Sequence, residues 1–194
     1  MGVLGGTFDP VHLAHLVVAN EVLTAAGLDE VVFVPAGDPW QKSTREVTDA
    51  ATRLEMVRLA VADNPAFAVS DVDVVRQGPT YTVDTLADLR ATYPSGTRFS
   101  LILGQDAAAA LGTWREPERV LAEAEVLVVG RPGSDAEPEP RFADRIQRVR
   151  IPLIEVSSTD LRARVRAGRS IRYLVPDQVA AFIAERGLYR SAER

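Results

Sequence analysis

Apolar positions along this chain fall into short runs separated by stretches of helical spacing. Val3-Leu4 leads into a glycine turn, and the spacing beyond it predicts a helix from about Pro10 to Ala26. Val31-Val32-Phe33-Val34 is a β-branched run closed by Pro35, the pattern of a buried strand. Leu54, Val57 and Val61 recur at helical spacing and predict a helix over 49–63. Phe67 to Val75 alternates apolar and polar positions, which predicts a strand. A helix over Val83 to Tyr93, a strand over Phe99 to Leu103 and a helix after Asp106 follow. Val126-Leu127-Val128-Val129 predicts a further strand, stopped by Gly130-Arg131-Pro132-Gly133. Val149 to Val156 reads as the last strand, ahead of helices at about 158–167 and 176–187. Strands alternating with helices predict an α/β fold, a doubly wound parallel sheet with helices on both faces. No internal repeat is visible. The whole chain, 1–194, reads as one domain whose C-terminal part, about 157–190, is a small helical segment.

Composition narrows the function classes. At 46% hydrophobic and 25% charged residues, the chain has the makings of an ordinary globular core. Its net charge of −5 argues against a generally basic nucleic-acid binder. There are no cysteines, so disulfides, thiolate metal sites and catalytic thiols are excluded. The N-terminus lacks the basic and apolar regions of a signal peptide, and no window approaches a membrane span. These features predict a cytoplasmic protein without a membrane or nucleic-acid partner. The segments 36–48 and 131–141, rich in Pro, Gly and polar residues, read as surface loops, and the last few residues as a frayed end.

Candidate chemistry concentrates in the first turn. Gly5-Gly6-Thr7-Phe8-Asp9-Pro10-Val11-His12-Leu13-Ala14-His15 follows the first strand and opens the first helix. Glycines allow a tight turn and close backbone approach to a ligand. Asp9 suits the N-cap position and Pro10 the first helical position. A helix N-terminus presents free N–H groups and a positive dipole end, which together bind anions. His12 and His15 are the only two histidines of the chain, and their spacing puts both on one helix face. A metal pair is the alternative for such histidines, but no third ligand is obvious nearby.

A second cluster, Val156-Ser157-Ser158-Thr159-Asp160-Leu161-Arg162, lies at a strand-to-helix junction. Its hydroxyls and N–H groups can hold phosphate oxygens, and Arg162 adds a planar fork of donors. Plain helix capping would use the same residue types. Taken together, the two segments resemble the nucleotidyltransferase superfamily, with its His-x-x-His after a glycine turn and its Ile-Ser-Ser-Thr-x-Ile-Arg motif. That resemblance implies a Rossmann-like fold and transfer of a nucleotide from a triphosphate to a phosphate acceptor. ATP would be held by Gly5, Gly6, Thr7, Phe8, His12, His15, Gly104, Asp106, Ser157, Ser158, Thr159 and Arg162. His12, His15, Lys42 and Arg162 would carry the catalysis.

Other segments resemble bacterial nicotinate mononucleotide adenylyltransferases in particular. They are Arg53-Leu54-Glu55-Met56, Gly78-Pro79-Thr80-Tyr81-Thr82-Val83-Asp84-Thr85-Leu86, Gly104-Gln105-Asp106 with Trp114, Arg131-Pro132-Gly133 and Tyr173-Leu174-Val175-Pro176. The match spans nearly the whole chain in order. It implies that nicotinate mononucleotide is bound by Lys42, Thr82, Thr85, Trp114 and Arg131. Thr82 or Thr85 could equally cap a helix, Trp114 could be core, and Asp106 could be an N-cap. Pro39-Trp40-Gln41-Lys42 departs from the family by placing Gln41 where histidine is usual. Mg2+ would ride on the ATP phosphates with few or no protein ligands. Two rivals stand beside this expectation: a transferase with another acceptor, such as nicotinamide mononucleotide, and a non-catalytic nucleotide binder. Assembly into a homo-oligomer is left open by the sequence.

Overall fold

The computed structural model describes residues 1–38, 47–130, 139–152 and 154–190. Among these residues six strands build one sheet: β1 (Gly2–Gly6), β2 (Val31–Pro35), β3 (Phe67–Val69), β4 (Phe99–Gly104), β5 (Ala124–Gly130) and β6 (Ile146–Arg150). Their order is β3-β2-β1-β4-β5-β6, and every neighbouring pair is parallel. The helices are α1 (Leu13–Ala25), α2 (Ala50–Val61), α3 (Val72–Val75), α4 (Thr82–Thr92), α5 (Gln105–Ala109), α6 (Pro117–Glu123), α7 (Ser158–Arg166) and α8 (Asp177–Glu185). This is the Rossmann-like, doubly wound α/β architecture expected. The winding reverses between β1 and β4, and connections leaving their carboxyl ends diverge to opposite faces, which opens a crevice there.

Successive strand residues point to opposite faces. Leu4, Phe33, Ile102 and Leu127 face one core with Val22 of α1, Met56 of α2, Leu161 of α7 and Ile183 of α8. Val3, Val32, Leu101 and Val126 face the other with Leu86 and Leu89 of α4 and Val120 of α6. Burial on both faces explains why these strands read as continuous apolar runs.

Four elements differ from the sequence expectation. First, α1 begins at Leu13 rather than Pro10, with His12 as its N-cap. Asp9 cannot cap it because its carboxylate already accepts from the Tyr189 hydroxyl at 2.6 Å and from Thr48 N–H at 3.4 Å. Phe8 has a left-handed backbone (φ 50°), and Asp9 and Pro10 form a turn ahead of the helix. Second, the strand expected over 67–75 stops at Val69, and α3 takes its second half. There Asp73 is buried at 3% exposure and bonded to Arg76 three residues on, while Val75 is 71% exposed. The apparent alternation therefore had no apolar face to bury. Third, β6 covers Ile146–Arg150 rather than Val149–Val156. Pro152 has no N–H to continue the ladder with β5. Fourth, α6 was not anticipated, because its seven residues bury only Val120 and Leu121, too few to show a period.

One side chain ties this framework together. Arg53 points inward from α2 and is 1% exposed. Its Nε donates to the carbonyl of Thr48 at 2.7 Å, Nη1 to that of Thr7 at 2.7 Å, and Nη2 to that of Gly37 at 3.0 Å. Those carbonyls belong to the turn after β1, the turn after β2 and the entry to α2. Burial pushes the Arg53 guanidinium down from its ordinary value, and the charges of Asp9 and Asp49 oppose this. Arg53→Met should leave three buried carbonyls short of donors and destabilise the fold by about 3 kcal/mol or more. Urea unfolding measures it as a lower midpoint; a loss below about 1 kcal/mol would mean that water replaces the guanidinium.

Candidate functional site

Two cavities open at the carboxyl ends of β1 and β4, one on each face of the sheet. The larger, about 720 Å³, lies on the α1 and α7 face. Gly5, Gly6, Thr7, Phe8, His12, His15, Gly104, Asp106, Ser157, Ser158, Thr159 and Arg162 all line it, so the structure gathers every residue expected around ATP. The smaller, about 220 Å³, lies on the α4 face and is lined by Thr82, Thr85 and Trp114 among others. Gly5, Gly6, Thr7, Leu103 and Ala107 line both, so the cavities meet across the end of β1. Lys42 and Arg131 lie outside the described residues, as do Pro39, Trp40 and Gln41 and the Pro132-Gly133 pair.

The turn after β1 sets the geometry of the larger cavity. A Cβ on Gly6 would sit 2.9 Å from the Phe8 ring, so only glycine lets that ring fold beneath the turn. Phe8 is buried, and the ring meets His15 edge-on at 5.0 Å, so it backs the histidine more than it faces the cavity. The His12 and His15 rings stack with centroids 3.7 Å apart. His12 N–H donates to His15 Nδ1 at 3.2 Å. A neutral ring that accepts at Nδ1 carries its proton on Nε2. His15 thus offers an N–H donor without needing a positive charge.

The second wall comes from the far end of the chain. Ser157 caps α7, accepting from Asp160 N–H at 3.2 Å. The Ser158 hydroxyl donates to the Pro10 carbonyl at 2.9 Å, and Arg162 Nη1 donates to the Asp9 carbonyl at 2.7 Å. With the Tyr189 bond to the Asp9 carboxylate, three contacts fasten the C-terminal helices to the first turn. Imidazole, hydroxyl, guanidinium and a helix N-terminus then face one space, a donor set suited to a polyanion.

In the smaller cavity Thr85 is buried, and its hydroxyl donates to the Asp73 carboxylate at 2.7 Å. Its oxygen is therefore committed to the wall. Burial pushes the Asp73 carboxyl above the usual carboxylate range, against the pull of Thr85 and Arg76. A Cβ on Gly37 would lie 2.0 Å from the Asp73 carbonyl, so that close approach requires glycine. Thr80 is stitched to the turn after β2, its hydroxyl accepting from Gly37 N–H at 3.1 Å. The Trp114 indole N–H is buried with no acceptor among the described residues.

Sequence reasoning missed the work of Arg53, Asp9 and Tyr189. An arginine within the apolar stripe of α2 was a usable signal for the first. Nothing near Tyr189 in sequence marks its contact with Asp9, 180 positions away. Among the described residues no group of three or more metal-ligating side chains occurs. No helix among them is long and apolar enough to cross a membrane.

Comparison with known proteins places this geometry. The sequence model of the family described as Cytidylyltransferase-like matches residues 3–164. The chain is 48% identical to a protein of Corynebacterium kroppenstedtii named "Probable nicotinate-nucleotide adenylyltransferase", covering 97% of this chain and 90% of that one. A protein of the same name from Streptomyces coelicolor is 49% identical over 96% of this chain and 99% of its own. In fold, the chain resembles the Plasmodium falciparum nicotinic acid mononucleotide adenylyltransferase complexed with NaAD, with a TM-score of 0.78 at 18% identity, covering 97% of this chain and 96% of that chain.

The Tyr189 contact makes a prediction of its own. Tyr189→Phe should cost about 1.5–3 kcal/mol, the range for a hydrogen bond to a charged group. Burial, reinforced by Asp9, raises the Tyr189 phenol above its ordinary value. A raised phenol contributes stability that is fully present below the unfolded value of about pH 10 and lost as pH rises through the folded one. Denaturation midpoints of the two proteins should differ at neutral pH and begin to converge only above about pH 10. Midpoints that coincide at pH 7 would remove the bond from the account.

Proposed function

The chain belongs to the cytidylyltransferase-like family and, within it, groups with the nicotinate-nucleotide adenylyltransferases; from that premise we propose that it transfers AMP from ATP to nicotinate mononucleotide, giving nicotinate adenine dinucleotide and pyrophosphate in NAD biosynthesis. The observation that carries this reading is the meeting of two cavities over Gly5-Gly6-Thr7. One is large and donor-rich, as a triphosphate needs. The other is small and walled by Tyr81, Thr82 and Trp114, as a pyridine ring needs. Residues 1–194 act as a single catalytic domain, and the reaction belongs in the cytoplasm.

An oxygen of the acceptor phosphate attacks the α-phosphorus of ATP, the bond from that phosphorus to the β-phosphate bridge breaks, and pyrophosphate leaves with the electron pair. The acceptor oxygen is already ionised near neutral pH, so no strong base is needed. Catalysis lies in positioning and charge stabilisation. His15, with Nδ1 fixed as an acceptor, directs its Nε2–H to the α-phosphate. His12, Ser158, Thr159 and Arg162 hold the β and γ phosphates, and Gly104 and Asp106 border the adenosine. Lys42 adds a cation for phosphate, and Arg131 a further contact to the acceptor. Thr82 acts through the start of α4, where the first N–H groups point out of the helix, and Thr85 through the wall it forms with Asp73. Imidazole, hydroxyl and guanidinium donors do not form a magnesium cage, so Mg2+ would be carried by the ATP phosphates, whose charge it would help neutralise.

Pyrophosphate release with ATP and magnesium tests the reaction. It should be fast with nicotinate mononucleotide and slow with nicotinamide mononucleotide; release with neither overturns the acceptor assignment. His15→Ala should lower kcat by about 100- to 1,000-fold, the loss typical of a removed transition-state donor, with little change in melting temperature. Near wild-type turnover would remove His15 from the chemistry. Arg162→Lys keeps the charge and loses the fork, and should raise the KM for ATP by roughly tenfold. An unchanged ATP titration would make Arg162 a strut for Asp9 alone.

A further inference from the structure

Arg115 stands at the mouth of the smaller cavity and is the only basic residue in its lining among the described residues. Its guanidinium lies over the Tyr81 ring, 5.0 Å from the centroid. Nη1 is 3.4 Å from an Asp84 carboxylate oxygen and Nε 3.7 Å from one of Glu116. Both ion pairs are long and the side chain is 52% exposed, so they hold the guanidinium only weakly. Arg115 rests on an aromatic face with partners it can give up.

Two further elements line the same cavity. Trp114, the preceding residue, brings its buried indole N–H without an acceptor among the described residues. The first turn of α4 begins beside it at Thr82. Asp73 is the only acidic residue in the lining, and Thr85 and Arg76 already engage it. Asp84 and Glu116 lie outside the lining, against Arg115, whose charge offsets theirs.

We propose that Arg115 sets the preference for a carboxylate-bearing acceptor, its guanidinium moving from Asp84 to the ring carboxylate of the mononucleotide. This rests on the acceptor reading given above. Discrimination has two parts. A planar carboxylate matches the planar fork of donors. The amide analogue carries the same pyridinium charge with no carboxylate to balance it, and so sets a bare cation beside Arg115. Asp84 and Tyr81 keep the side chain aimed while the cavity is empty.

The test compares Arg115→Gln with the wild type for kcat/KM on nicotinate and nicotinamide mononucleotides, with the KM for ATP measured alongside. The nicotinate value should fall roughly 10- to 100-fold, the worth of a hydrogen bond to a charged group. The nicotinamide value should hold or rise, and the KM for ATP should stay unchanged. Arg115→Lys should recover only part of the loss, since an ammonium has no fork. An unchanged melting temperature excludes a folding cause for a side chain this exposed. Equal losses on both acceptors overturn the proposal, because Arg115 would then hold something the two share. No loss on either also overturns it. A wild type that releases no pyrophosphate with nicotinate mononucleotide overturns the acceptor reading itself, and this proposal with it.

Discussion

The Arg53 guanidinium is the constraint on which the site depends. Loops at the carboxyl end of a parallel sheet leave backbone carbonyls pointing into a crowded space, and such groups must find donors when buried. Arg53 supplies three at once, to Thr7, Gly37 and Thr48. Because its donors are fixed in one plane, the three carbonyls are fixed relative to one another. The glycine turn below His12 and His15, the turn that borders the smaller cavity and the entry to α2 therefore move as one unit. Asp9 and Asp49 supply opposing charge for a cation kept out of water. A lysine would present a point charge and could not impose this geometry.

The sheet does the remaining sorting. Alternate residues of β1 and β4 point to opposite faces, so each cavity takes its floor from a different set. Leu4 and Ile102 lie under the larger one, Val3 and Leu101 under the smaller. Two ligands on opposite sides of a sheet can meet only beyond its carboxyl edge. At β1 that edge is Gly5-Gly6-Thr7, where the least side-chain bulk intervenes. The switch in winding direction is thus what gives the two faces separate cavities and one point of contact.

Much of this was legible in the sequence. The β-branched runs of β2 and β5 could be read because both faces are buried, and the His12 and His15 pair because they flank the helix start three positions apart, although His12 is its extended N-cap and not a helical residue. The stretch of Ser157 to Arg162 could be read as a helix start for the same local reason. Where sequence misled, distant partners decided. Asp9 has the right side chain for a cap and stands before a proline, yet Tyr189 and Thr48 claim it. Asp73 looked like the polar half of a strand, but Thr85 and Arg76 hold it inside. Trp114 and Arg115 follow a 3-10 turn, Leu111–Thr113, too short to have a period. Local pattern reveals elements; it cannot reveal which of two suitable partners a polar group will choose.

The fastening of the C-terminal helices to the first turn bears on how the protein comes into being. Ser158 reaches Pro10 across 148 positions, Arg162 reaches Asp9 across 153, and Tyr189 reaches Asp9 across 180. Contacts so distant in sequence close large loops and form late in folding. During synthesis the sheet can assemble while α7 and α8 are still to be made. Until they dock, the first turn lacks its outer wall, and the larger cavity is an open shelf. A nascent chain would thus lack both that wall and the core contacts of Leu161 and Ile183 until α7 and α8 were made.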